Sequence, residues 1–287
     1  MVKDGRKDEV SGANTTGHEW DGIEELNIPA PRWWLITWLI TIIYSVGYMF
    51  FYPTWPVPGG HTEGSLGWTS VKQLEESMEE IRIKKAKYID QISKAESLED
   101  IRKNEELYEF AIAGGKSAFA LNCSTCHGSG AAGAKGYPNL NDDDWLWGGS
   151  IEDIKTTLLY GIRSEHEDAR TSEMPAFGKD EILTSEEISK VADFVISLST
   201  GEGYNDQGKE IFADNCASCH GVEGKGDRDF GAPNLTDPIW LFGSDKENIV
   251  ETISYSRKGV MPAWKDKLDE ETIKQLTLYV HSLGGGE

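Results

Sequence analysis

The sequence contains one five-residue pattern twice, Cys-Ser-Thr-Cys-His at residues 123–127 and Cys-Ala-Ser-Cys-His at residues 216–220. The spacing C-x-x-C-H is typical of c-type haem attachment, in which two thiols add across the vinyl groups and the adjacent His faces the iron. The two patterns use all 4 cysteines of the chain. They predict two covalently bound haem c groups, held by Cys123, Cys126, Cys216 and Cys219, with His127 and His220 as axial iron ligands.

Other uses of paired cysteines fit the pattern less well. A structural zinc site would take two C-x-x-C pairs or further His ligands in one cluster, and the His directly after each pair would then be a coincidence. A thioredoxin-like redox pair would lie in a βαβ context, which the sequence does not contain. Haem attachment is therefore the favoured interpretation.

Both patterns belong to a longer internal repeat, in which each half reads as helix, haem motif, loop, helix, Met loop and helix. The repeat resembles the class I cytochrome c fold, which implies an all-α architecture in which the haem completes a small core. The most closely matching pairs are Gly115 with Gly208, Phe119 with Phe212, Pro138 with Pro233, Trp145 with Trp240, and the Met-Pro-Ala sequences at residues 174–176 and 261–263.

The repeat also indicates a second axial ligand for each iron. Of the 5 Met residues, Met174 and Met261 are the two that fall inside the repeated halves, at matching positions. A thioether opposite His raises the reduction potential of a haem, although Met also serves simply to fill cores. We expect His127 with Met174 at the first haem and His220 with Met261 at the second. His166 is an alternative ligand for the first iron.

Residues 33–52 contain no charged side chain and carry aromatic residues at both ends. A membrane-spanning helix needs about 20 such residues, and a polar segment longer than that of a signal peptide precedes this one. The basic residues before it are Lys3, Arg6, Lys7 and Arg32, and the next one is Lys72. The positive-inside rule then predicts a single-pass protein of the bacterial inner membrane with a cytoplasmic N-terminus and periplasmic haem domains.

Five segments follow from these patterns. Residues 1–32 form the cytoplasmic segment, 33–52 the span, 53–108 a linker with charged helices, 109–200 the first cytochrome domain and 201–287 the second. The linker either holds the haem domains over a partner or is a solvated spacer. We interpret residues 20–26 as an assembly or docking element.

The charge balance constrains the partners. The chain has 28 basic and 49 acidic residues, a formal net charge of −21. Nucleic acid is excluded as a natural partner because its phosphates would be repelled. An acidic surface steers basic proteins toward it and favours transient encounters, as in electron transfer.

Taken together, these segments resemble subunit III of the cbb(3)-type cytochrome c oxidases over nearly the whole chain. The resemblance rests on Trp-Asp-Gly at residues 20–22, Pro-Arg-Trp-Trp at 31–34, Leu-Gly-Trp at 66–68, Gly-Ile-Arg at 161–163, the tandem haem motifs and both Met-Pro-Ala loops. It implies an electron-transfer subunit, itself not the seat of oxygen chemistry. Its partners would be a soluble or membrane-tethered cytochrome c donor, the monohaem subunit and the haem–copper subunit.

Three other functions remain as alternatives. A membrane-anchored dihaem subunit of a periplasmic dehydrogenase would share the haems but lack the Trp-Asp-Gly segment. A dihaem peroxidase would keep one iron open and is normally soluble, whereas both halves here have a Met candidate. A haem-based gas sensor would need an output module, which the sequence does not show. The membrane proteins that co-purify with the chain would distinguish an oxidase from a dehydrogenase.

Overall fold

The computed structural model describes residues 5–284 and 286, so that Lys3 of the basic set lies outside the described residues. Residue packing divides the chain into two units, one ending at Lys84 and the other beginning at Lys85. Helices carry most of the structure, which confirms the predicted class and the single N-terminal apolar helix. Two small antiparallel hairpins, which the sequence patterns did not predict, are added before and after that helix.

The first unit begins with the hairpin of β1 (Thr15–Trp20) and β2 (Ile23–Leu26). Its turn is Asp21-Gly22, both with positive φ (47° and 86°), the conformation that favours Asp-Gly in tight hairpins. Helix α1 (Arg32–Phe51) follows and is long and apolar enough to cross a membrane. A second hairpin joins β3 (Pro56–Val57) to β4 (Gly60–His61).

Helix α2 (Ser70–Lys94) runs across the division between the units, and its last part packs into the second. There Ile92 is fully buried, and the ring of Tyr88 stacks on Phe110 with centroids 4.7 Å apart. Two capped helices come next, α3 (Leu98–Lys103) and α4 (Glu105–Asn122). The side chains of their N-cap residues, Ser97 and Asn104, each accept a hydrogen bond from a backbone amide of the first turn. That amide would otherwise have no partner within the helix.

The remaining helices form the two repeated halves. Each half contains a single-turn helix that carries the haem motif, a middle helix and a longer closing helix. In the first half these are α5 (Ser124–His127), α6 (Ile151–Tyr160) and α7 (Ser185–Thr200). In the second half, a short opening helix α8 (Asp206–Asn215) precedes α9 (Ala217–His220), α10 (Lys246–Tyr255) and α11 (Glu270–His281).

The closing helices are exchanged between the halves. Helix α11 packs on α4 and α6, and α7 packs on α8 and α10. One helical cluster therefore combines α4 and α6 with α11 from the end of the chain. The second cluster is built from the continuous stretch of the chain that carries α7, α8 and α10. The short loop of residues 201–205 favours the exchange, because helices joined by a few residues tend to pack against each other. Once α7 is paired with α8, α11 is left for α4.

Matching glycines allow each exchanged pair to approach closely. A Cβ on Gly115 of α4 would overlap the carbonyl oxygen of Gln275 and lie 2.6 Å from the Cβ of Tyr279. A Cβ on Gly208 of α8 would likewise overlap the carbonyl oxygen of Lys190 on α7. Aromatic side chains flank both crossings, with centroids 5.5 Å apart for Phe119 and Tyr279 and 5.3 Å apart for Phe194 and Phe212.

Candidate functional site

Each haem motif forms a single helical turn that begins directly at the end of the opening helix. The amide of Cys123 donates to Phe119 at the end of α4, and the amide of His127 donates back to Cys123. The amides of Cys216 and His220 repeat this arrangement on α8, donating to Phe212 and Cys216. The two Cys residues and the His of each motif are therefore held on one compact turn.

The two His rings are oriented by backbone carbonyls. Nδ1 of His127 lies 3.1 Å from the oxygen of Pro138, and Nδ1 of His220 lies 3.1 Å from the oxygen of Pro233. Because a carbonyl can only accept, Nδ1 of each ring carries the hydrogen and Nε2 keeps its lone pair. Burial lowers the pKa of both His residues, so that each ring favours the neutral form that binds metal.

Cys123 is buried and Cys126 is exposed, whereas Cys216 and Cys219 are both half-buried. Burial raises the pKa of Cys123 to about 11 and that of Cys216 to about 11, with a further contribution from the neighbouring Cys. These thiols are therefore protonated at neutral pH.

Met174 lies at the second haem motif, not at the first. A cavity of about 600 Å³ opens beside the second motif, and its walls include Cys216, Cys219, His220 and Met174. The Met loop is fixed there by α10: the amide of Phe177 donates to Ile253 over 3.1 Å, and the hydroxyl of Ser256 donates to the carbonyl of Met174.

Met261 lies at the first haem motif. It packs against the cluster that contains Cys123 and Phe119. Two backbone hydrogen bonds join it to Ile162, at 2.9 and 3.0 Å, and the amide of Trp264 donates to Leu158 of α6 over 3.0 Å. The structure therefore places the two Met residues the other way round from the predicted pairing of His127 with Met174 and of His220 with Met261. The cause is the exchange of α7 and α11, because each Met loop stays beside the helix that follows it.

His166 makes its contacts within its own loop. Its Nδ1 accepts the amide of Asp168 over 3.1 Å, and its ring lies 4.9 Å from that of Tyr160. Because Nδ1 accepts this bond, the ring is held toward residues 164–168. These contacts favour Met261 over His166 as the residue available to the first motif.

A buried donor supports the fit of a haem at the first motif. Among the residues that the structure describes, Nε1 of Trp145 is fully buried without a hydrogen-bond partner, and Trp145 packs on the cluster around Cys123. A buried indole N–H normally finds an acceptor, and a haem propionate is an acceptor of suitable charge. Together with the paired thiols, the oriented His and the Met, this donor makes the residues compatible with haem c.

The sequence patterns missed Arg163 as a site residue. Its guanidinium lines the cavity at the second motif and donates to backbone carbonyls on both Met loops. The available signal is the Gly-Ile-Arg sequence at residues 161–163, which belongs to the family resemblance. The matching stretch of the second half reads Ser-Arg-Lys at residues 256–258, so the repeat gave no support for a role.

Comparison with known proteins gives consistent matches. The family model described as the N-terminal domain of cytochrome oxidase-cbb3, FixP, matches residues 12–58. The model described as cytochrome C oxidase, cbb3-type, subunit III, matches residues 110–195 and 204–280. A cbb3-type cytochrome c oxidase subunit FixP of Bradyrhizobium sp. (strain ORS 278) is 51% identical, with 100% of both chains covered.

Two further relatives agree. A FixP subunit of Bradyrhizobium diazoefficiens is 50% identical over 98% of both chains. A CcoP subunit of Cereibacter sphaeroides is 48% identical over 95% of both chains. One solved chain, from a Kuenenia stuttgartiensis reducing HAO-like protein complex, covers 60% of this chain and 96% of its own length, at 19% identity and a TM-score of 0.18. That similarity is too low to support a conclusion.

Proposed function

The chain belongs to the family of cbb3-type cytochrome c oxidase subunit III, known as FixP or CcoP, and from this membership we propose that it is the dihaem electron-transfer subunit of such an oxidase. The observation that carries the proposal is the pair of haem motifs, each with its His held by a Pro carbonyl and a Met loop packed beside it. The names of the relatives favour an oxidase over the dehydrogenase alternative.

The proposed cofactors are two haem c groups, which when bound would supply one-electron transfer. Cys123 and Cys126 would hold the first through thioether bonds, and Cys216 and Cys219 the second. The single helical turn that holds each pair of Cys residues beside its His supports this assignment. Neither attachment consumes an oxidant, because each S–H bond adds across a carbon–carbon double bond.

The proposed axial ligands cross between the halves of the sequence. His127 would act with Met261 at the first haem, and His220 with Met174 at the second. The packing of Met261 against the cluster around Cys123 supports the first pair, and the cavity shared by His220 and Met174 supports the second. A Met opposite His raises the reduction potential, which suits a subunit that takes electrons from a cytochrome c.

The proposed route runs from a periplasmic cytochrome c donor, through this chain, to the monohaem subunit and the haem–copper subunit. The net charge of −21 supports a basic donor, because opposite charges speed a transient encounter. Helix α1 supports anchoring in the bacterial inner membrane. The basic residues that precede it support a cytoplasmic N-terminus and periplasmic haem domains.

One experiment tests both the cofactor count and the crossed ligands. The wild-type protein should carry two covalent haems by intact mass and haem staining after denaturing electrophoresis. In the Cys216→Ala/Cys219→Ala background, the single remaining haem should show the long-wavelength absorption band of Met–iron(III) coordination. Adding Met261→Leu should abolish that band, whereas adding Met174→Leu should leave it. The reverse pattern, or a wild-type mass with one haem, would refute the proposal.

A further inference from the structure

Arg163 joins the two Met loops through one side chain. Its Nε donates to the carbonyl of Gly259 over 2.8 Å, and its Nη1 donates to the carbonyl of Ser172 over 2.9 Å. Gly259 lies two residues before Met261, and Ser172 lies two residues before Met174. The same guanidinium therefore fixes the entry of the chain into both loops, although the two Met residues belong to different haem motifs.

The backbone at Arg163 is arranged for this contact. Its φ is 51°, in the left-handed region that residues other than glycine seldom occupy. The amide of Arg163 donates to the carbonyl of Arg170 over 2.6 Å. The preceding residue, Ile162, exchanges two backbone hydrogen bonds with Met261. These bonds hold an uncommon conformation, which aims the side chain between the loops. A non-glycine residue in such a position, supported by its surroundings, is frequent at functional sites.

The chemistry of the side chain suits two acceptors that point in different directions. A guanidinium presents several N–H donors in a rigid plane, whereas the ammonium of Lys is a single point on a flexible stem. A second charged contact also joins the two Met loops, the ion pair of Glu173, next to Met174, with Lys258, next to Gly259. That pair is half-exposed and links two side chains, so it provides a comparison for the effect of charge alone.

We propose that Arg163 is a positioning residue for both sixth ligands, which it holds through the carbonyls of Ser172 and Gly259. The proposal rests on the crossed Met ligation stated under the proposed function. Without the guanidinium, the two loops would lose the hydrogen bonds at Ser172 and Gly259, and each Met would spend more time away from its iron. Both haems would then change together, although the substitution lies at one residue.

The test compares three variants of the full-length holoprotein: Arg163→Lys, Arg163→Gln and the charge control Lys258→Gln. The readouts are the Met–iron(III) absorption band, resolved for each haem in the single-haem Cys→Ala backgrounds, and the two midpoint potentials from redox titration. We expect Arg163→Lys, which keeps the charge, to weaken both Met bands and to lower both potentials. Arg163→Gln should do so further, and Lys258→Gln should leave both bands intact.

The alternative outcomes separate this proposal from the one on which it rests. Unchanged bands in Arg163→Lys, with lowered potentials only in Arg163→Gln, would reduce Arg163 to a nearby positive charge and overturn its positioning role. A change at one haem alone would overturn it as well, and so would failure of Arg163→Lys to retain haem, because that result indicates a general folding role. Wild-type protein without Met bands would instead refute the proposed ligation.

Discussion

Ile162 and Met261 form a two-way backbone pair, with the amide of each donating to the carbonyl of the other at 2.9 and 3.0 Å. The two residues stand at the end of the first middle helix and in the Met loop of the second half. Their pairing returns the end of the chain to the first haem motif. The second helical cluster is therefore inserted within the first, and the first is completed only by residues that follow it.

This insertion predicts the outcome of two deletions. A chain ending at residue 200 should fail to retain a Met-ligated first haem, because it lacks Met261 and the helix α11 that packs on α4. Replacing residues 173–258 by a short Gly-Ser linker should preserve the first site. The linker can be short because the carbonyls of Ser172 and Gly259 both contact the guanidinium of Arg163. Haem stoichiometry and the Met–iron(III) band check both chains.

Sequential cytochrome domains would give the opposite result. The chain ending at residue 200 would then hold a complete Met-ligated haem, and the chain with the internal deletion would hold a disrupted one. Both deletions remove the second haem motif at residues 216–220, so each serves as the control for the other.

The helix crossings predict a contrast between two adjacent glycines. Gly115→Ala should destabilise the protein by about 1–3 kcal/mol, the usual cost of overpacking, because the new Cβ meets the backbone of Gln275 and the Cβ of Tyr279. Gly114→Ala is the matched control, since its Cβ meets only the flexible amide group of the Gln275 side chain. It should be near neutral. Denaturant unfolding of the holoprotein measures both, and equal losses would contradict the proposed close approach.

Much of the architecture could be predicted from local patterns. The apolar run gave helix α1 to within one residue, and the repeat gave the order of helices in each half together with the residues of both haem motifs. These features depend on residue type and spacing along the chain. The hairpin at Asp21-Gly22 has an equally local signal in the sequence, the Asp-Gly turn.

The partners of the repeated elements could not be predicted in this way. Phe119 matches Phe212, and Tyr279 occupies the place of Phe194, so either closing helix is chemically suited to either opening helix. Which helices meet depends on the length of the loop at residues 201–205 and on the packing of the whole unit. Arg163 was missed for a related reason, because its two acceptors are backbone carbonyls that leave no residue pattern.

A buried lysine predicts how strongly the end of α2 is held. Lys274 on α11 is only 6% exposed and donates to the carbonyls of Ile92 and Ser93 over 3.1 and 3.2 Å, at the C-terminal end of α2. Lys274→Met should cost about 1–3 kcal/mol, because it removes a buried charged donor from the carbonyls of Ile92 and Ser93 and breaks the ion pair of Lys274 with Glu270. Lys94→Met, which removes an exposed ion pair with Asp90, should change stability little.

The stability lost in Lys274→Met should be concentrated at the C-terminal end of α2. Limited proteolysis of Lys274→Met should cut at the C-terminal end of α2 sooner than in the wild type, while the haem content is retained. Unchanged cleavage at residues 92–97, together with unchanged unfolding, would show that other contacts hold this helix end.

Asp144 predicts a pH dependence of stability. Burial, with smaller contributions from Asp237 and Asp142, raises its pKa from 3.8 to about 6, and Arg228 opposes the shift. Because the folded protein binds the proton more tightly than the unfolded chain, the contribution of Asp144 to stability is full below the unfolded pKa. It falls as the pH rises from about 4 to about 6 and is level above that range.

Asp144→Asn removes this titration, since the amide stays neutral and nearly the same size. Its stability relative to the wild type should therefore increase between about pH 4.5 and pH 7, and chemical unfolding of the holoprotein at several pH values measures the difference. Asp143→Asn is the control, because it removes a neighbouring carboxylate from an exposed side chain. A constant difference for Asp144→Asn would show that its carboxylate is solvated in the folded protein and does not titrate in this range.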